Sequence, residues 1–189
     1  MKIALSTTSF GSLRIDSYNT ALARAARELA PAGVEVELYD RLGELPHYNE
    51  DVDQESIATP VSVAELRRRI DEADALFFVT PEYNGSLPGV LKNAIDWASA
   101  RHRGSWLRNK TVAIAGATTG QFGALWAQQD LRRVLGIAGA RVVGEELPVS
   151  SAHERFDAHG RIADPVLTER LRNHLALLAR EARPLSDAA

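Results

Sequence analysis

Between residues 9 and 19 the chain carries the hydroxyls of Ser9, Ser12 and Ser17, the guanidinium of Arg14 and the amide of Asn19, all ahead of a helical pattern. A helix start presents unpaired amides and partial positive charge, so a cation and hydroxyls there suit an anion. Arg14 would add charge-assisted bonds to phosphate oxygens, and a hydroxyl-rich loop suits a terminal phosphomonoester, whose three oxygens need many donors. The same Ser and Asn would equally serve to cap the helix and turn the chain. Asp16 repels a dianion and is expected to point outward. In a second loop, Pro81 to Pro88, prolines supply stiffness, Tyr83 an aromatic face, and Gly85 a close backbone approach or a positive φ. A third loop, Gly116 to Trp126, sets Gly120 and Gly123 three apart beside Thr118 and Thr119, so amides and hydroxyls can reach a ring or a phosphate. Neither G-x-x-x-x-G-K-[ST] nor G-x-G-x-x-G occurs, which removes the two familiar phosphate motifs.

The elements that must position these loops alternate along the chain. Strand patterns fall at Lys2 to Ser6, Val34 to Leu38, Ala75 to Val79, Thr111 to Ala115 and about Arg141 to Val143. The third and fourth are continuously apolar, as central strands covered on both faces are. Val34 to Leu38 alternates, as expected near a sheet edge. Helical spacing follows the first strand through Leu22, Ala25, Ala26 and Leu29. A second helix starts at the capping-box sequence Ser62-Val63-Ala64-Glu65 and runs to about Glu72. Others are expected from Pro88 to about Ala98, Phe122 to Leu135 and Asp164 to Arg183, while Arg41 to Thr59 reads as a long polar loop. Such interleaving predicts an α/β fold, a doubly wound, five-stranded parallel sheet of order 2-1-3-4-5 with helices on both faces, whose ligands sit beyond the carboxyl ends of the strands.

Length and composition agree with one domain, expected over 1–183 with a frayed tail over 184–189. A net charge of −3 from 22 basic and 25 acidic residues, well mixed, leaves no footprint for nucleic acid and no polybasic membrane patch. With no cysteine, thiolate chemistry, iron–sulfur ligation and disulfides are excluded. The five histidines (His47, His102, His153, His159, His174) lack metal spacing and are expected on surfaces or loops. The apolar start is too short for an export signal, and no run of about 18 apolar residues exists to span a bilayer. A cytoplasmic protein is the expectation.

The stretch from Pro81 to Trp97 closely resembles the P-E-Y-N-G-S-x-P-G-x-L-K-N-A-I-D-W signature of the NADPH-dependent FMN reductase family, which includes flavin, quinone, chromate and azo-dye reductases. The first loop resembles its G-S-x-R-x-x-S-x-N phosphate motif at Gly11, Ser12, Arg14, Ser17 and Asn19. The resemblance implies a flavodoxin-like fold and FMN as cofactor, with NAD(P)H as co-substrate. Ser12, Leu13, Arg14, Ser17 and Asn19 would then hold the phosphate; Pro81, Glu82, Tyr83, Asn84 and Gly85 would line the isoalloxazine; and Thr118, Thr119, Gly120, Phe122 and Gly123 would complete the pocket. The family usually has Arg near position 126, where this chain has Trp, so any nucleotide-phosphate or subunit contact of that Arg is in doubt, and Phe122 with Trp126 would enlarge an apolar wall for acceptors or simply pack in the core. Tyr48 and Asn49 match a loop that in the family lies near a neighbouring subunit's flavin, and a homodimer or homotetramer is implied. Lys92 and Asp96, four apart on a helix, would pair across subunits or with each other in solvent.

The flavin would carry the chemistry while the protein positions it. NAD(P)H and a small acceptor would use one open face in turn, a ping-pong sequence in which no protein acid or base is required. A flavodoxin-like electron carrier without NAD(P)H activity is the alternative, and the weak net charge argues against it, because such carriers are generally strongly acidic. Reduction of free flavin for a partner enzyme differs only in acceptor.

Overall fold

In the computed structural model of the chain, residues 14, 16–54, 56–99 and 104–182 are described, together with the backbone of 2–5. Five of its strands line up in parallel, with β1 (Lys2–Leu5) between β2 (Glu35–Leu38) and β3 (Ala75–Val79), then β4 (Thr111–Ala117) and β5 (Arg141–Val142). A sixth strand, β6 (Leu147–Val149), pairs with β4 beyond β5, so the sheet has six strands and not the five expected. Helices α1 (Tyr18–Glu28) and α6 (Pro165–Glu181) cover one face, while α2 (Val61–Glu72), α3 (Gly89–Ala98) and α4 (Leu125–Ile137) cover the other; a short α5 (Ala152–Arg155) follows β6.

The two-residue period of a strand divides the core. Ala75, Phe77 and Val79 of β3, with Ala113, Ala115 and Ala117 of β4, join the α1–α6 layer. Leu76, Phe78, Val112 and Ile114 join the other layer. Both strands are buried throughout, which is why their sequences read as unbroken apolar runs. In edge strand β2 only Val36 is buried.

Three local expectations change. The capping box fails: Pro60 occupies the N-cap of α2 without a side-chain bond, and the Ser62 hydroxyl donates to the Glu44 carbonyl at 3.2 Å. Helix α4 begins at Leu125, not Phe122, because Gly123 and Ala124 are both left-handed (φ 60°) and a right-handed helix cannot pass through them. The segment expected as a polar loop contains a 3₁₀ turn at Leu42–Glu44 and is pinned from within. Pro46 accepts from Trp97 Nε1 at 2.8 Å and Asn93 Nδ2 at 2.9 Å, while Asp53 forms a buried bidentate pair with Arg67 at 2.8 and 2.9 Å.

The gap between β5 and β6 is bridged by side chains. Ala115 gives its carbonyl to Thr80 on the β3 side, so the Ile114 carbonyl points the other way, to where residues 143–146 have left the ladder. His174 of α6 fills that vacancy, its Nε2 3.0 Å from the Ile114 oxygen, and Arg132 of α4 reaches Gly144 O and Glu146 at 2.6 Å each. The expectation that the histidines lie on surfaces or loops is therefore wrong for His174, which is buried beside Phe77. A carbonyl only accepts, so Nε2 carries the proton of a neutral ring. Burial, aided by the charges of Arg170 and Arg132, pushes the His174 pKa below its usual value despite the Ile114 bond and Glu146. Below about pH 6.5 the unfolded chain takes up a proton that the folded one resists, so stability is full above that pH and declines as pH falls. Melting temperature should accordingly drop between about pH 7 and pH 5, and His174→Gln, which keeps a donor, should flatten that slope; an identical slope in the variant contradicts the assignment.

Candidate functional site

The loops after β1, β3 and β4 all open at the carboxyl end of the sheet. Most of the first, including Ser9, Gly11, Ser12 and Leu13, lies outside the described residues. Its end is clear. Ser17 is the N-cap of α1, and its hydroxyl accepts from the Asn19 amide at 3.2 Å. Arg14 is exposed, with Nη2 on the Asp16 carbonyl at 2.6 Å, and Asp16 is exposed as expected. A cation and a capped helix start thus stand at one corner of the sheet end.

Asn19 does something the sequence does not reveal. Its Nδ2 donates to the Ala117 carbonyl at 2.9 Å, and its Oδ1 accepts from the Ala117 amide at 2.8 Å. Ala117 is the last residue of β4, so this two-pronged bond ties the start of α1 to the start of the third loop. At 3% exposure, the Asn19 side chain serves the protein's own main chain.

The second loop is a tight two-residue turn. Tyr83 and Ser86 exchange main-chain bonds of 3.1 and 3.2 Å, with Asn84 (φ 52°) and Gly85 (φ 74°) at its tip. Two successive left-handed residues make the Asn-Gly pair the natural choice here. The amides of Asn84 and Gly85 have no main-chain partner among the described residues, and the space where a Gly85 Cβ would stand is open. Tyr83 beside them is 51% exposed.

Two side chains clamp this turn to α4. The N-cap of α4, Ala124, has no capping oxygen of its own; Glu82 supplies one, accepting from the Ala127 amide at 3.1 Å. The Ser86 hydroxyl donates to Asp130 Oδ2 at 2.5 Å. The Ser86 bond, followed by Arg133, holds the Asp130 carboxyl below its usual pKa. Glu82, expected along the ring, spends its carboxylate on the helix, so only its backbone is left to line a ligand.

In the third loop, the Thr118 hydroxyl accepts from the Gly120 amide at 3.1 Å, and the Thr118 amide donates to Val149 O at 3.1 Å. The Thr119 and Gly120 side is exposed. Gly123 is required by close packing, since a Cβ there would stand 2.6 Å from the Val149 nitrogen. Buried Gln128 holds the same turn by donating to Gly123 O at 2.9 Å. Gly123 therefore shapes the loop from below. Phe122 and Trp126 emerge from it as a tilted pair, ring centroids 4.7 Å apart, and the core-packing alternative for Trp126 does not hold, since it is 48% exposed.

Pro81 is buried at the end of β3. Lys92 and Asp96 pair with each other at 2.6 Å within one helix. Tyr48 packs edge-on to Trp97, and Asn49 caps its own turn by accepting from the Asp51 amide. Among the described residues no cluster of His, Asp or Glu could hold a metal, and no helix is long and apolar enough to cross a membrane. A cation beside a capped helix start at one end, and an exposed aromatic ring beside amides with no main-chain partner among the described residues at the other, fit a flat ring bearing a phosphate.

Residues 7–154 match the family model of NADPH-dependent FMN reductases. The chain belongs to that family. It is 44% identical to an NAD(P)H-dependent FMN reductase of Pseudomonas aeruginosa over 89% of each chain. It is also 40% identical to a 2-hydroxy-1,4-benzoquinone reductase of a Burkholderia species, over 80% of this chain and 81% of the relative. Among solved structures, the flavoenzyme NAD(P)H:acceptor oxidoreductase FerB of Paracoccus denitrificans superposes with a TM-score of 0.77 at 32% identity, covering 95% of this chain and 96% of the other. The protein is thus a flavodoxin-like NAD(P)H-dependent oxidoreductase with FMN as cofactor.

Asn19→Ala would leave the two buried main-chain groups of Ala117 unpaired and should lower stability by about 2–3 kcal/mol. The loss should be the same in FMN-free protein, read from the urea midpoint. A variant destabilised only when FMN is present would show instead that Asn19 contacts the ligand.

Proposed function

We propose that this oxidoreductase reduces quinones and related small acceptors in a ping-pong sequence, with Ser12, Leu13, Arg14 and Ser17 at the FMN phosphate. Asn19 stands behind that set as a positioning residue. Pro81 to Gly85, chiefly through the Asn84 and Gly85 amides and the Tyr83 ring, and the loop from Thr118 to Gly123 would hold the isoalloxazine. The observation that carries the reading is the left-handed Asn84–Gly85 turn, whose outward amides and neighbouring Tyr83 are fixed in place by the Glu82 and Ser86 clamps. Support for quinones comes from the relatives named for that activity.

The redox chemistry belongs to the FMN when bound. In the overall reaction, NAD(P)H gives a hydride and solvent a proton, and a quinone leaves as the hydroquinone with two electrons and two protons more. The chain's own residues bind and orient. Arg14 and the first turn of α1, which holds no acidic residue, would offset phosphate charge. The Tyr83 turn offers preformed donors at no reorganisation cost. One open side serves both co-substrates, so they must enter in turn. We read β5 and β6 as one interrupted strand, which gives the sheet the 2-1-3-4-5 order of flavodoxin-like folds, within a single domain over 1–183. The reading includes a cytoplasmic homodimer or homotetramer, as the family resemblance implies.

Arg14→Ala should weaken FMN retention by about tenfold or more, the scale of one lost charge-assisted contact. Unchanged affinity, measured by flavin fluorescence titration, removes Arg14 from the phosphate site. Initial-rate plots with NADPH and a quinone varied together should give parallel lines; intersecting lines contradict alternate occupancy.

A further inference from the structure

Seven large hydrophobic side chains are exposed among the described residues, and the three aromatic ones, Tyr83, Phe122 and Trp126, lie in the second loop, the third loop and the first turn of α4. Their neighbourhood follows from the clamps. Glu82 touches the main chain of Ala127, one residue beyond Trp126, and Ser86 touches Asp130, one turn beyond it. Residues four apart share a helix face, so Trp126 lies on the stripe of α4 against which the Tyr83–Ser86 turn is held. Phe122 packs on the indole at an interplanar angle of 40°, while both remain about half exposed at 47% and 48%. The Trp126 indole N–H has no partner among the described residues. By contrast, Trp97 is fully buried and bonded to Pro46.

We propose that Trp126, backed by Phe122, is an acceptor-selecting wall at the mouth of the site, favouring flat aromatic acceptors of the quinone class over compact inorganic anions. This rests on the function proposed above. The wall has two parts suited to a quinone. An exposed aromatic face gains from an offset-stacked ring, and an unpaired indole N–H can donate to a quinone carbonyl. A compact hydrated anion such as ferricyanide uses neither, so the wall changes the ratio of the two activities.

The test compares 1,4-naphthoquinone with ferricyanide, both with NADPH, in the FMN-loaded wild type and in Trp126→Ala and Trp126→Phe. In Trp126→Ala the ratio of kcat/KM for naphthoquinone to that for ferricyanide should fall by about 3- to 10-fold, the scale of one aromatic pair. The change should appear in the quinone KM. Trp126→Phe should recover most of it by restoring the ring without the N–H. An unchanged ratio beside full wild-type turnover overturns the wall alone. So does a change in assembly size of Trp126→Ala on size-exclusion chromatography, which would mean that another copy of the chain covers the indole. A wild type that turns over neither acceptor overturns both the wall and the function beneath it.

Discussion

One side chain joins the start of α1 to the end of β4, far apart in sequence. The Asn19 amide pairs with both main-chain groups of Ala117, at the point where β4 stops. Beyond that residue the ladder gives no further guidance on that side, and the chain must turn into the third loop. An amide that donates and accepts at once imitates a neighbouring strand, so α1 and the third loop start from one fixed place. At the other edge of the site, Glu82 and Ser86 do the same between the second loop and α4. The start of α1 is thereby held to β4 and the second loop to α4, beside the buried β3–β4 pair.

The arrangement explains why few side chains are available for chemistry. Glu82, Ser86, Asn19 and Gln128 are all polar and all near the site, and each is engaged by main chain or by another helix. Outward-facing groups are amides, hydroxyls, Arg14 and aromatic rings. That division suits an enzyme whose cofactor performs the reaction and whose protein supplies position and electrostatics.

Much of this was legible in the sequence, and the rest was hidden for identifiable reasons. The continuous apolar runs at Ala75–Val79 and Thr111–Ala115 announced central strands because burial on both faces removes alternation. Gly85 announced a positive φ because glycine adopts it without cost, while the left-handed Asn84 beside it went unread. By contrast, an Asn ahead of a helix looks the same whether it serves a phosphate or a carbonyl 98 residues away. Strand β6 is too short to show a period, and its Leu-Pro-Val sequence reads as loop. His174 replaces a ladder bond that is missing because β5 breaks off, a fact of tertiary structure. The Ser62 capping box failed because α2 starts at Val61 with Pro60 as its N-cap, which puts Ser62 inside the first turn.

The central claim is that the loops at this end of the sheet hold FMN where a nicotinamide nucleotide can reduce it. Its most direct test is to purify the protein with its cofactor and add NADPH in the absence of oxygen. The account predicts a yellow protein that bleaches on addition and regains its colour when a quinone is supplied. Protein that stays colourless after incubation with FMN, or remains yellow after excess NADPH and NADH, would contradict it.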